Sequence, residues 1–355
     1  MTPQDEAELA GMIRAADGPL AIRGGGTRSP AATRPVLSTA GLSGIVLYQP
    51  GALTLVVKAG TSLSEVEAVL AERNQRLAFE PMDHRPVLGT TGEPTIGGAV
   101  AVNASGPRRV QAGAARDFLL GAVFIDGAGT RVRNGGRVMK NVTGYDLARL
   151  QAGARGTLGV LTELSFKVLP VPERIATLAL PCDDPGRAVA ALARALGSPY
   201  EVTGAGWDGA RVLLRIEGFA ASVSYRGGEL ARLIPGLVHV DEDPWPALRD
   251  GRSLAGMARD IWRVSLRASH GAILAARLLE AGAAVTLDWG GGLLWAAMAP
   301  GADLRAQMAD LGGHATRLRG TGPGPALHPD PAAVAALASG LRRQFDPEGR
   351  FAPEA

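Results

Sequence analysis

The sequence predicts an α+β protein of two domains, and three observations carry that prediction. The chain has 355 residues, 46% of them hydrophobic, which is enough for two cores without a disulfide or metal staple. The first half sets strands between glycine-rich turns. After Pro170 and Pro172 the rhythm changes to helices alternating with several strands, the pattern of an α+β unit on an antiparallel sheet. The expected division is therefore 1–172, 173–330, and a C-terminal helix and tail over 331–355.

The elements follow in order. Leu9, Met12 and Ile13 share a face of a helix over 3–16, with Thr2 as cap and Gly18-Pro19 as its end. Strand Leu20-Ala21-Ile22 runs into Arg23-Gly24-Gly25-Gly26-Thr27. Residues 44–48 and 53–59 read as strands. Ser62 and Glu65 make a capping-box pattern that opens a helix reaching about Asn74. Residues 80–115 lack periodicity and read as a long loop, a feature that is usually functional in a compact domain. Strands follow at 119–126, 130–133 and 158–169. In the second half, helices are expected near 186–197, 220–234, 269–281 and 302–311. Strands are expected at 175–180, 200–206, 210–217, 261–267, 283–288, 292–298 and 313–318. Asp330-Pro331 opens a last helix with Val334, Leu337, Leu341 and Phe345 as its inward face.

Composition excludes several classes of function. The formal charge of +3 comes from 37 basic and 34 acidic side chains with no long basic run, so a nucleic-acid partner is not indicated. Aromatics at 5% give no stacking platform for single strands. A lone cysteine, Cys182, supports neither a disulfide nor an iron–sulfur cluster, so such a cluster would sit on another chain. The five histidines (His84, His239, His270, His314, His328) are not paired at metal-ligand spacing, so no metal site is expected. The N-terminus lacks a signal-peptide pattern, and no apolar run reaches the ~20 residues of a membrane span. The expected location is cytoplasmic, or peripheral at the inner membrane through a partner.

Three segments carry chemistry. Gly24, Gly25 and Gly26 after a strand let the backbone adopt positive φ and turn successive amides toward one anion; a flexible turn would use the same glycines. The G-x-G-x-x-G dinucleotide spacing is absent. Thr90 to Ala99, running on to Asn103-Ala104-Ser105-Gly106, interleaves hydroxyls with glycines. Hydroxyls donate to phosphate oxygens and glycines leave room for a pyrophosphate, although a polar surface loop reads the same way. Lys140 to Leu147 and Gly153 to Val160 place Gly156 and Gly159 at the entry to a long strand; an ordinary turn is the alternative.

Together these segments resemble the FAD-binding domain of the vanillyl-alcohol-oxidase and cresol-methylhydroxylase (PCMH) type. The order R-G-G-G-T, V-x-A-G-T-x-L-x-E-V, T-I-G-G, N-A-S-G, K-N-x-T-G-Y-D-L, G-T-L-G-V-L-T-E covers roughly 15–172. Phe345-Asp346-Pro347-Glu348-Gly349-Arg350-Phe351 resembles the family's closing motif, with Ala352 where Asn is usual. Within the family, the length, the Arg137 to Leu147 stretch, Trp262-Arg263-Val264-Ser265 and Asp288-Trp289-Gly290-Gly291 are most similar to E subunits of bacterial glycolate oxidase.

The resemblance implies a two-lobed FAD domain, a smaller cap domain, and a C-terminal tail packing back on the FAD domain. Arg23, Gly24, Gly25, Gly26 and Thr27 would face the pyrophosphate, with Thr95, Ile96, Gly97 and Gly98 as the opposing loop. Ser105 and Gly106 would lie near the flavin, and Val160 would bond the cofactor through its backbone. Thr27 stands where a flavin-linking His is common, so the FAD is expected to be non-covalent. The implied function is that of an FAD-binding subunit in glycolate oxidation to glyoxylate, working with a catalytic flavoprotein subunit and an iron–sulfur subunit. A self-sufficient oxidase of a small alcohol or hydroxy acid, and a non-catalytic scaffold, are the alternatives.

Catalytic residues are thinly signalled. The histidine- and acid-rich cluster of related 2-hydroxyacid dehydrogenases is absent. Period 2 over Ile261 to Arg267 sets Arg263, Ser265 and Arg267 on one face, where Arg263 would meet a flavin or a carboxylate, or simply water. His314 is the other candidate, with a surface role as its alternative. Trp289-Gly290-Gly291 would line the flavin or pack in a core.

Overall fold

The computed structural model describes residues 1–28, 34–136 and 144–351. The stretch from Arg137 to Thr143 and the Ala352 position, both used in the family comparison above, lie outside the described residues.

The first unit is built on a five-stranded antiparallel sheet. Its strands are β3 (Ile45–Gln49), β4 (Thr54–Lys58), β6 (Leu119–Ile125), β7 (Arg131–Gly135) and β8 (Val160–Lys167), in the order β3-β4-β8-β6-β7. Ahead of it, β1 (Ala21–Arg23) and β2 (Val36–Ser38) form a small parallel pair. β5 (Gln75–Arg76) pairs with β9 (Leu169–Pro170) where the chain leaves this unit. One sheet face buries Leu55, Val57, Leu164 and Phe166 against Val66 and Leu70 of helix Leu63–Ala71, and Phe79 stacks on Phe166. Ser62 caps that helix as expected, accepting from the Glu65 amide at 3.1 Å. The first helix is shorter than expected, Glu6–Arg14. It is capped by Asp5, whose carboxylate accepts from the Glu8 amide at 2.8 Å and so displaces Thr2 from that role. The long loop 80–115 carries three short helices, Arg85–Leu88, Ile96–Ala101 and Arg109–Ala112.

The second unit is one eight-stranded antiparallel sheet: β10 (Arg174–Pro181), β11 (Val202–Trp207), β12 (Arg211–Gly218), β13 (Val238–Val240), β14 (Asp260–Ser265), β15 (Ala284–Asp288), β16 (Leu293–Met298) and β17 (His314–Arg319). The order is β13-β10-β12-β11-β15-β16-β14-β17. Helices Pro185–Leu196, Ala220–Leu233 and Ala268–Glu280 cover one face, where Leu192, Leu230 and Leu274 meet Trp207, Trp262 and Val264. Along β14 the residue before Trp262 points the other way. Ile261 joins Trp295 in a second cluster with Met82 and Val87 of the first unit. The two units thus share an apolar seam.

A buried ion network reinforces that seam. Glu80 and Arg108 of the first unit pair with each other, and Glu80 takes two bonds from Arg215 of β12 at 3.0 and 2.9 Å. Glu217, at the end of β12, takes Arg76 Nη2 at 2.9 Å and Arg108 Nε at 2.9 Å.

The last helix, Ala332–Phe345, departs from expectation. None of its residues is buried, and the face expected to turn inward is open: Val334 is 48% exposed, Leu337 72% and Leu341 40%. The tail beyond it does pack on the first unit. Phe345 lies on Phe124 with ring centroids 5.9 Å apart, the Gly127 amide donates to the Phe345 carbonyl at 2.7 Å, and Phe351 pairs with Leu20.

Candidate functional site

The two glycine loops meet. β1 delivers Arg23 to Gly24–Thr27, and Thr95 opens the helix Ile96–Ala101 by accepting from the Gly98 amide at 3.2 Å. That second loop is fixed to the end of β4, because Ile96 donates to the Thr61 carbonyl at 2.9 Å and Gly97 to the Ala59 carbonyl at 2.8 Å. The contact between the loops leaves no room for side chains. A Cβ on Gly25 would overlap the Glu93 carbonyl, one on Gly24 would overlap the Thr95 hydroxyl, and one on Gly97 would sit 2.6 Å from the Ala59 carbonyl oxygen. Thr90 Oγ1 ties the two together by donating to the Thr27 carbonyl at 2.7 Å. The glycines therefore serve the close approach of loop to loop as well as the bare surface the pair presents.

That surface borders a cleft of about 1020 Å³, counting its open mouth. Its walls include Arg23 to Arg28, Thr95, Gly97, Gly98, Gly156 and Gly159, with Leu318 contributed by β17 of the second unit. Arg23, Arg28 and Arg155 line it and no carboxylate does, so among the described residues the cleft is cationic. Arg28 donates from Nε to His84 Nδ1 at 3.3 Å and also bonds the Gly98 carbonyl. Burial and the neighbouring charges of Arg28 and Arg263 hold His84 well below the usual imidazole range, so it is neutral at pH 7, and its ring also bonds the Met82 carbonyl. With Nδ1 accepting from Arg28, His84 is tied into the wall, and its lowered basicity makes it a weak base.

Of the residues expected to hold a cofactor, Arg23, Gly24, Gly25, Gly26, Thr27, Thr95, Gly97 and Gly98 line this cleft. Ile96 turns its side chain into the first core, and Val160 is buried between the lining residues Gly159 and Leu161. Ser105 and Gly106 lie outside the lining. Ser105 Oγ accepts from the Ala115 amide at 3.0 Å, and Gly106 bridges the units by donating to Phe79 and accepting from Trp289 Nε1 at 3.0 Å.

The catalytic candidates separate. His314 is exposed on the edge strand β17, its ring 5.4 Å from His328, and does not line the cleft. Arg263 is not on a wet face. It is half-buried at the seam, 5.3 Å from the Trp289 ring, and Arg109 of the first unit lies 4.4 Å from the same ring. Burial, then the charges of Arg109 and Arg155, push the Arg263 guanidinium down to about 10. Neither Arg109 nor Arg263 makes an ion pair or hydrogen bond among the described residues. Trp289 holds a left-handed backbone, φ +54, that few bulky residues adopt. The preceding Asp288 accepts from the Trp289 amide at 2.7 Å. Burial raises the Asp288 carboxyl to about 7. Arg28, Arg109, Arg155 and His84 escaped sequence reasoning. Arg28 directly follows the glycine loop and was open to notice, whereas Arg109 carries no local signal.

Among the described residues no group of three or more His, Cys, Asp or Glu is placed to hold a metal, and no helix is long and apolar enough to cross a membrane.

A sheet-based domain closed by glycine loops over a cationic cleft, with a second antiparallel unit against it, defines an FAD-dependent oxidoreductase. The FAD binding domain family matches residues 1–135. The fold as a whole is that of alkyldihydroxyacetonephosphate synthase, with a TM-score of 0.68 at 14% identity, covering all of this chain and 76% of that one. More particularly, the chain is 37% identical over 316 residues to glycolate oxidase subunit GlcE of Escherichia coli K12, covering 87% of this chain and 83% of that protein, and it belongs to that family. Glycolate oxidase subunit GlcD of Bacillus subtilis is 32% identical over 165 residues, 45% of this chain and 34% of that protein.

Proposed function

We propose that the chain is the FAD-carrying subunit of a glycolate-oxidising complex and holds the cofactor non-covalently. The observation that carries this reading is the cleft lined by three arginines and, among the described residues, by no carboxylate, walled by two interlocked glycine loops, in a chain of the GlcE family. The donor set fits the group. Loops 23–28 and 95–98 offer main-chain amides and threonine hydroxyls to a diphosphate, Arg28 and Arg155 offset its charge, and Val160 would contribute its backbone. When bound, the flavin supplies the two-electron acceptor that oxidation of a hydroxy acid requires. Residues 1–172 would carry the cofactor and 173–330 would close over it.

The partners in this reading are a catalytic flavoprotein subunit and an iron–sulfur subunit, since Cys182 is the chain's one cysteine. A supporting role for this chain, with limited chemistry of its own, agrees with the lining: among the described residues it holds no carboxylate, and His84, its one histidine, accepts from Arg28 at Nδ1 and has its basicity lowered by burial. The test is the absorption spectrum of the purified chain, followed by acid precipitation and an assay with glycolate and an artificial acceptor. A yellow protein that releases its FAD into the acid supernatant and turns over glycolate slowly when alone is expected. A colourless chain that stays so after adding FAD would refute cofactor binding, and fast turnover without partners would refute the supporting role.

A second reading, in which this chain oxidises substrate itself, draws on Arg109 and Arg263. Two partly buried guanidiniums that make no ion pair among the described residues suit a small carboxylate.

A further inference from the structure

We propose that the C-terminal helix Ala332–Phe345 is a docking element that inserts its apolar stripe into an acid-rimmed groove on another subunit of the complex; this rests on the reading of the chain as a complex subunit.

Val334, Leu337 and Leu341 fall at i, i+3 and i+7, one stripe of an α-helix, and all three are open to solvent. Helices of about this length are marginal in water on their own, and packing of the apolar face is what ordinarily stabilises them. Here the body holds the helix at its end and leaves the stripe bare. Phe345 packs on Phe124, and the Asp346 carboxylate accepts from the amides of Arg350 and Phe351, both at 2.8 Å. The stripe is therefore presented at a fixed place with nothing of this chain laid over it among the described residues.

Charge narrows the occupant. Residues 332–345 contain no Asp or Glu, while Arg342 and Arg343 stand in the last turn. Neither makes an ion pair among the described residues; Arg343 donates to Ser339 Oγ at 3.0 Å. A surface that receives the leucines and also meets these two cations is apolar along its floor and carries carboxylates at its rim.

Area argues against a second copy of the chain. The helix is about 21 Å long and about 10 Å across, so one helix laid on its twin covers roughly 200 Å² per chain. A stable interface needs about 800 Å² from each partner. A groove that closes on both flanks of the helix engages much more of it, and spacing of i, i+3, i+7 is the anchor pattern of helix-in-groove recognition.

The experiment is co-expression of the tagged full-length chain with its cognate glycolate oxidase flavoprotein and iron–sulfur subunits. Complex mass is read by light scattering and FAD per chain by absorbance. Leu337→Glu and the double change Arg342→Glu/Arg343→Glu both lie on exposed helix positions. Each is expected to weaken assembly at least tenfold while FAD content and the melting temperature of the isolated chain stay at wild-type values. Equal assembly of wild type and both variants overturns the docking role and leaves the complex reading standing. A wild-type chain that binds FAD but joins neither subunit removes the complex reading and the docking role together. A homodimer that Leu337→Glu turns into a monomer, with hetero-assembly unaffected, assigns the stripe to a second copy and overturns the proposal.

Discussion

Glu217→Gln tests the ion network that clamps the two units together. The Glu217 side chain is 5% exposed and lies between Arg76 and Arg108 of the first unit, with Arg215 beside it. Burial alone would raise its carboxyl. The hydrogen bonds and charge of Arg108, the Arg76 bond and the Arg215 charge outweigh burial and bring it from its ordinary 4.5 to about 2. That distance corresponds to about 3 kcal/mol. Because the folded value is depressed, the contribution is fully present above pH 4.5 and is lost as the pH falls through about 2. Glutamine keeps the shape and removes the charge, leaving Arg76, Arg108 and Arg215 to face Glu80 alone. Removing one partner of a buried pair costs about 3–5 kcal/mol, which agrees with the first figure. The assay is thermal unfolding of both proteins from pH 7 down to pH 3. The variant is expected to melt well below wild type at pH 7, with the gap closing below pH 4.5. A gap that stays constant over the range, or no cost at pH 7, refutes the linkage and with it the account of the seam.

Gly25→Ala puts a methyl against the Glu93 carbonyl and forces the two loops apart. Overpacking of about 1–3 kcal/mol is expected to appear as roughly 10- to 100-fold weaker FAD retention, read from flavin absorbance after dialysis; full retention would show that the loops do not grip the cofactor. Arg263→Ala, made in the assembled complex, is expected to abolish flavin reduction by glycolate if this chain handles substrate, and an unchanged reduction rate refutes that role. Asp288 carries a raised carboxyl, so ionising it costs stability as the pH climbs from its ordinary 3.8 through about 7, on the order of 4 kcal/mol at most. Asp288→Asn is expected to flatten the melting temperature between pH 5 and pH 8, and an unaltered slope would place that titration elsewhere.

How much of this was legible beforehand differs by residue. Gly24 to Gly26 and Gly97-Gly98 are legible because the lack of a side chain is a property of the residue type, visible without neighbours, although only Gly26 of the five takes a positive φ and Gly24, Gly25 and Gly97 serve close approach instead. Periodicity marks every strand of the second unit except β13, whose three residues are too few to show a period. The expected helix over 302–311 shrank to Leu304–Gln307 because Asp303 caps a turn that the following residues do not continue. Period 2 put Arg263 on the face it shares with Ser265, but whether that face was wet or sealed depended on Trp289, which lies over Arg263, and on Met82 and Val87, which arrive from the first unit beside Ile261. The last helix is the clearest divergence. Its periodicity revealed a face that wants cover, and periodicity does not say which molecule supplies the cover.

The chain order alone determined the two-unit α+β architecture and the glycine turns, because these rest on local backbone preference and on periodicity, and the order of its motifs carried the family resemblance that implied the cofactor class. Tertiary structure decided the rest: the interlock of loop 23–28 with loop 92–98, the meeting of Arg109 and Arg263 at Trp289, the joining of Arg76 and Arg108 to Glu217, and the exposure of Leu337. Each of these depends on burial and on charges drawn together from distant positions, and the free energy of such encounters is a property of the packed seam, which no short stretch of residues contains.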